Sequence, residues 1–315
     1  MSKICFLYSG QGSQKVGMGK ELYDLSAGAK KVFECASDTL GFDLLKICTE
    51  SNLKELSQTK YCQPAIMAVS LAAFEALKEN DILPQAVAGH SLGEYSAMVS
   101  SGVLSLEDGF KVIKARADAM QKCAENQDGA MCAVIGTTPD VIEQACKEVN
   151  GYVAPVNYNA PMQTVIAGHK KDVQKATLIL KGVAKKCRFL NVNAAFHSNL
   201  MKPAADIFIE NISDIHFNTP NIPFYSNLTG GLLPNDIDMK DMVYNHLISP
   251  VRFTRELYTM DRNGIKTYVE LGPGKVLYTL MKRTLSGVKI LNVEDEKSLL
   301  KAINAIMGKD EVNGK

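Results

Sequence analysis

At 315 residues, with 46% hydrophobic and 22% charged side chains, the chain has an ordinary globular composition and can bury a full core, as one large domain or one carrying an insertion. A formal net charge of +1 argues against general nucleic-acid binding, so charge-based partner recognition must come from a local patch. The eight cysteines show no C-x-x-C spacing, which suggests neither a zinc site nor a redox pair; with no signal-peptide layout at the N-terminus, a reducing cytoplasm is expected.

Residues 4–8 read as a strand that runs into a small-residue loop, Ser9, Gly10, Gln11, Gly12, Ser13 and Gln14. The loop lacks both phosphate-binding spacings, G-x-G-x-x-G and G-x-x-x-x-G-K-[ST]. It is either a plain turn or a donor of one backbone N–H to a site built elsewhere. Residues 21–56 are helical with polar breaks. Gln63 and Pro64 then open a long apolar helix that ends near Asn80, where Gln63 either caps the helix or faces a site. Its apolar run, 65–77, contains Ser70 and Glu75 and is too short to span a bilayer, so no membrane role is expected.

The next stretch is the most informative. An apolar run at 82–88 predicts a buried strand, helix formers occupy 92–99, and Gly89-x-Ser91-x-Gly93 lies between them. By itself G-x-S-x-G arises by chance in roughly one chain of this length in ten. Strand, sharp turn and helix together form the context that makes a serine nucleophilic, because the crowded turn needs residues without Cβ on both sides. The helix start also aims free N–H groups at the position of an oxyanion.

Ser105, Leu106, Glu107 and Asp108 start a helix that reaches about Lys122. At 100° per residue, Lys111, Lys114, Asp118, Gln121 and Lys122 share one face, and Val112, Ile113, Ala119 and Met120 the other. Arg116 falls within the apolar group. A guanidinium there needs an anion, either a structural Asp or Glu or the carboxylate of a substrate.

Residues 129–193 read as strand 130–136, helix 139–149, strands 152–158 and 163–168, helix 170–181 and strand 187–193. That βαββαβ order is the ferredoxin-like unit. It divides the chain into an α/β hydrolase-like catalytic domain, 1–128 and 194–315, whose mainly parallel sheet is flanked by helices, and an inserted small domain at 129–193. The last strand leads to Ala194, Ala195, Phe196, His197 and Ser198, placing a histidine at the seam between domains. Among the five histidines His197 is the best available base: the His90 side chain is expected to point away, and His169, His216 and His246 sit in polar surroundings. A strand at 268–271 runs into Gly272, Pro273 and Gly274 and a helix at 275–285, adding a parallel strand. From Gly308 onward the chain is polar and expected to fray.

Six motifs now stand in order: Gln11-Gly12-Ser13-Gln14, Gly89-His90-Ser91-Leu92-Gly93-Glu94, Arg116, Ala195-Phe196-His197-Ser198, Pro250-Val251-Arg252-Phe253 and Gly272-Pro273-Gly274-Lys275-Val276-Leu277. Over essentially its whole length the chain resembles the malonyl-CoA:acyl-carrier-protein transacylases of fatty-acid and polyketide synthesis. The resemblance implies Ser91 as the acylated nucleophile, His197 as its general base, and the N–H groups of Gln11 and Leu92 as the oxyanion hole. It further implies that Arg116 holds the malonate carboxylate, that the backbone carbonyl of Ser249 orients His197, and that Phe196 before the histidine marks malonyl selectivity. No bound cofactor or metal is implied; malonyl-CoA is the donor and the phosphopantetheine of an acyl carrier protein the acceptor. A trans-acting acyltransferase of a polyketide synthase shares every motif. A serine esterase or thioesterase shares the elbow, although no triad acid is found between Ser91 and His197. Lys181, Lys185, Lys186 and Arg188 are either a solvated face or a docking patch for an acidic carrier protein. The protein is expected to act as a monomer.

Overall fold

The computed structural model describes residues 3–308; the expectation for the chain beyond Gly308 lies outside them. Among the described residues ten strands are present: β1 Lys3–Tyr8, β2 Ala86–Gly89, β3 Gly129–Ile135, β4 Val153–Ala160, β5 Gln163–His169, β6 Lys186–Phe189, β7 Tyr225–Ser226, β8 Gly231–Leu232, β9 Ile265–Leu271 and β10 Lys289–Val293. A central sheet has the order β10-β9-β1-β2 and is parallel throughout. Helices pack on it, and β1 between its neighbours is buried from Ile4 to Tyr8, as expected of a parallel strand covered on both faces.

The second sheet is antiparallel, with the order β4-β5-β3-β6, and two helices, Pro139–Lys147 and Lys170–Ile179, complete the βαββαβ sequence. The expected fold class is thus the observed one. Several boundaries differ for identifiable reasons. The strand expected at 82–88 is only Ala86–Gly89, because Pro84 has no N–H to give to a ladder. The helix expected to open at Gln63 begins at Thr59 and carries Pro64 inside it. Packing of nearly every side chain from Cys62 to Leu77 outweighs the roughly 3 kcal/mol that an interior proline costs. Gln63 therefore faces the interior from within the helix and is no cap. The last small-sheet strand ends at Phe189, after which the chain leaves the sheet.

Two glycines make the elbow possible. A Cβ on Gly89 would stand 2.1 Å from the Gly93 carbonyl carbon, and one on Gly93 would stand 2.0 Å from the Tyr8 carbonyl oxygen. Both clashes are with backbone that cannot yield. The helix Gly93–Ser100 therefore sits directly over the ends of β1 and β2.

Candidate active site

The carboxyl ends of β1, β2 and β9 open toward one cavity of about 250 Å³, the usual side for ligands in open α/β sheets. Its floor is formed by Gly10 and Gln11 after β1, His90 and Ser91 after β2, and Val276 and Leu277 after β9. Residues of β3, β4 and β5, together with Leu190, Val192 and Phe196 on the chain after β6, form its other side. The cavity thus lies between the two sheets.

Ser91 and His197 meet there although far apart in sequence: Ser91 Oγ is 2.7 Å from His197 Nε2. Ser91 has φ +54° and His197 φ +61°, two of the three non-glycine residues among those described in the left-handed region. Such conformations cost of order 1–3 kcal/mol and persist only where the surroundings over-determine them. His197 Nδ1 donates to the carbonyl of His246 at 3.0 Å, which fixes the tautomer and leaves Nε2 as the acceptor for the serine hydroxyl. The expected orienting carbonyl was that of Ser249. The Ser249 carbonyl raises the His197 pKa, but by less than the carbonyl of His246 does. The reason is that the helix Met239–Ile248 ends at this point, and its last-turn carbonyls, His246 among them, have no N–H partner within the helix.

Burial first, and then the nearby Arg116 cation, pull the His197 pKa down from 6.5 to about 3. The ring is therefore neutral at neutral pH and able to take a proton. Arg116 is 1% exposed, on the buried face of the helix Leu106–Glu125. Its Nη1 donates to Gln63 Oε1 at 2.7 Å and its Nη2 to Ser91 Oγ at 3.1 Å, while the guanidinium carbon lies 5.1 Å from the Tyr95 ring centroid. Among the described residues no carboxylate is within 4.0 Å of it. The structural Asp or Glu that was one reading of Arg116 is thus not found as an ion-pair partner. Gln63 Nε2 also reaches Gln11 Oε1 at 3.3 Å, tying the first loop to the arginine.

The Ser91 N–H is taken by Asn227 Oδ1 at 2.7 Å, whereas the N–H groups of Gln11 and Leu92 make no hydrogen bond among the described residues. Those two remain available to an oxyanion. Phe196 is 8% exposed and borders the cavity. His90 does not point away: it lines the cavity, with Nε2 2.8 Å from Asn159 Oδ1 on β4.

Sequence reasoning missed the layer beneath. His246 is 1% exposed, not in polar surroundings, and its ring packs 5.5 Å from that of His197. Its spacing from Met239, Met242 and Val243 places it on the apolar face of its helix, a signal that was legible. Glu94, Glu256 and Asn227 are each fully buried. A carboxylate in the otherwise apolar segment after Gly93 was a further signal; for Asn227 the sequence carries none.

A serine and a neutral histidine in contact, two unused N–H groups and a buried cation without a counter-ion define, with this fold, an acyltransferase. The chain matches the acyl transferase domain family over residues 5–303. It is 37% identical to the malonyl CoA-acyl carrier protein transacylase of Bacillus subtilis (strain 168), covering 97% of this chain and 98% of that one. For the transacylase of Escherichia coli (strain K12) the identity is 35%, covering 96% and 99%. The MCAT crystal structure from Streptococcus pneumoniae superimposes with a TM-score of 0.91 at 36% identity, covering 96% and 100%. A malonyl-transacylase solved in complex with its type II PKS acyl-carrier protein gives 0.92 at 35% identity, covering 96% and 100%. The chain belongs to the acyl transferase family and, within it, to the malonyl-CoA:acyl-carrier-protein transacylases.

Proposed function

We propose that the protein moves a malonyl group from malonyl-CoA to the phosphopantetheine thiol of an acyl carrier protein, through an acyl-enzyme on Ser91, to supply fatty-acid synthesis. The observation that carries this reading is the surroundings of one atom: Ser91 Oγ lies 2.7 Å from His197 Nε2 and 3.1 Å from Arg116 Nη2. His197 takes the hydroxyl proton as Oγ bonds to the thioester carbonyl carbon. The N–H groups of Gln11 and Leu92 stabilise the tetrahedral oxyanion. Coenzyme A then leaves as its thiol with the proton from His197, and the pantetheine thiol repeats the steps in reverse.

Arg116 receives the free carboxylate of malonate, held in place by Gln63, and the carboxylate gives the buried guanidinium its missing counter-charge. Phe196 borders the acyl group and favours malonyl over branched relatives. The carbonyls of His246 and, secondarily, Ser249 hold His197. The division at 129 and 193 into a catalytic and a small domain, a cytoplasmic location, a monomeric state and action without a bound cofactor belong to the same reading. No helix among the described residues is long and apolar enough to cross a membrane.

Intact-mass analysis tests the proposal. Malonyl-CoA alone is expected to add one malonyl mass to the protein, and a holo carrier protein to remove it while gaining the same mass. Release of free malonate faster than transfer would instead indicate a thioesterase. Likeness to the transacylase of the type II PKS complex favours a second reading in which the acceptor is a polyketide carrier protein. Competition between the two kinds of carrier protein for the acyl-enzyme decides between them.

A further inference from the structure

Asn227 follows the two-residue strand β7 and is 0% exposed, and its one side chain touches the elbow twice. Its Oδ1 accepts from the Ser91 N–H at 2.7 Å, and its Nδ2 donates to the Gly89 carbonyl, also at 2.7 Å. The remaining Nδ2 hydrogen goes to Glu256 Oε2 at 2.7 Å. The amide is therefore fully used and cannot flip, since a reversed amide would set N–H against N–H at Ser91. It pairs with the chain on both sides of the turn as a neighbouring strand would, at the position where Ser91 adopts φ +54°.

The Asn227 backbone N–H in turn donates to Glu94 Oε1, and Glu94 Oε2 lies 3.5 Å from His246 Nε2. His246 is the residue whose carbonyl accepts from His197. One buried chain of contacts, hydrogen-bonded at every step except the 3.5 Å approach of Glu94 to His246, thus runs from the serine backbone through Asn227, Glu94 and His246 to the histidine ring. Burial raises the Glu94 carboxyl to about 8 and pushes Glu256 up as well, so this layer is compatible with neutral groups.

We propose that Asn227 is a positioning residue of the transfer reaction: its side-chain amide holds the strained Ser91 backbone, and its link through Glu94 and His246 keeps the serine in register with His197. The proposal rests on the reading of Ser91 as the nucleophile. Strain at Ser91 keeps Oγ at the tip of the turn, and without the amide the turn relaxes and Oγ moves away from Nε2. A displacement of this kind costs roughly 10- to 100-fold in rate.

The test is pre-steady-state acylation of the full chain by malonyl-CoA, comparing Asn227→Ala, Asn227→Asp and the parent. For Asn227→Ala the burst rate constant is expected to fall roughly 10- to 100-fold while the burst amplitude per mole of folded protein and the half-saturating malonyl-CoA concentration stay within about 2-fold. Asn227→Asp is expected to approach the parent rate as pH falls, because protonation gives the carboxyl a donor for one of the other two partners while it still accepts from Ser91. A merely structural role would lower the yield of folded protein and leave both the rate constant and its pH profile unmoved. If Asn227→Ala does not fold, the pH profile of Asn227→Asp decides alone: a profile parallel to the parent overturns the proposal. Ser91→Ala runs alongside. Acylation of that variant would refute the nucleophile reading itself, whereas acyl on Ser91 with unchanged rates in both Asn227 variants refutes only the role of Asn227.

Discussion

Arg116 Nη2 lies 3.1 Å from Ser91 Oγ, so a buried cation with no ion-pair partner among the described residues touches the proposed nucleophile, which lines the cavity. A guanidinium 1% exposed is costly unless an anion completes it. Malonyl carries such an anion and acetyl does not. Arg116→Ala is expected to reduce kcat/KM for malonyl-CoA roughly 100-fold, the order of losing a buried charged partner, while acetyl transfer falls much less or rises. Steady-state rates with both donors check this, and equal losses would mark the arginine as structural.

Replacing Ser91 by Ala removes the oxygen that contacts both His197 and Arg116. Transfer should fall by roughly 10⁴-fold or more, with no malonyl mass gain on the protein. A stable adduct on the variant would locate the nucleophile elsewhere.

The pH dependence follows from His197. Protonation removes the acceptor at Nε2, so activity is lost as pH falls through the His197 pKa. Burial and Arg116 both hold that pKa far below 6.5, which keeps the acid limb of kcat/KM well on the acid side of neutrality. Arg116→Gln removes the second cause while keeping a hydrogen-bonding side chain. Its pKa should rise and its acid limb move to higher pH. A pH–rate profile for acylation measures this, and a limb that stays in place or moves lower contradicts the electrostatic account.

Gly89 and Gly93 allow the close approach of strand and helix at the elbow, and an added Cβ at either meets backbone at 2.1 or 2.0 Å. Gly93→Ala should therefore destabilise the fold by about 3 kcal/mol or more, beyond ordinary overpacking. Urea unfolding gives the value directly. A loss below about 1 kcal/mol would mean that the turn relaxes around the methyl group.

How legible the site was depended on whether its chemistry was local. The elbow could be read because Gly89, Ser91 and Gly93 lie within five positions, between an apolar run and helix formers. Arg116 was visible as a charge on the buried face of its own helix. The order βαββαβ emerged from alternating strand and helix patterns, each written in its own segment. Asn227 was not legible, because a two-residue strand gives no periodicity and its partners, Gly89 and Ser91 at the elbow and Glu256 on the helix Phe253–Arg262, come from two other segments. The carbonyl that orients His197 was misplaced for a similar reason: a helix end frees several carbonyls, and only packing decides which one the imidazole reaches.

The last prediction concerns delivery to the carrier protein. Lys181, Lys185, Lys186 and Arg188 are all exposed, and Lys186 and Arg188 lie on β6, an edge of the antiparallel sheet. The chain continues from that strand into Leu190 and Val192, which line the cavity, so the basic residues stand on the same segment as the cavity wall. A pantetheine arm entering between the sheets would bring an acidic carrier protein near them. Exposed charges of this kind act over a Debye length of about 8 Å and change encounter rates more than bound-state energies. Reversing Lys185 and Lys186 to Glu is expected to slow transfer to the carrier protein roughly 10-fold at low salt, with the gap closing as salt rises. Loading from malonyl-CoA should stay within about 2-fold, since the small donor needs no such surface. Single-turnover measurements of the two half-reactions separate these outcomes. Should both half-reactions fall together, or neither fall, the patch is a solvated helix end and the carrier protein docks elsewhere.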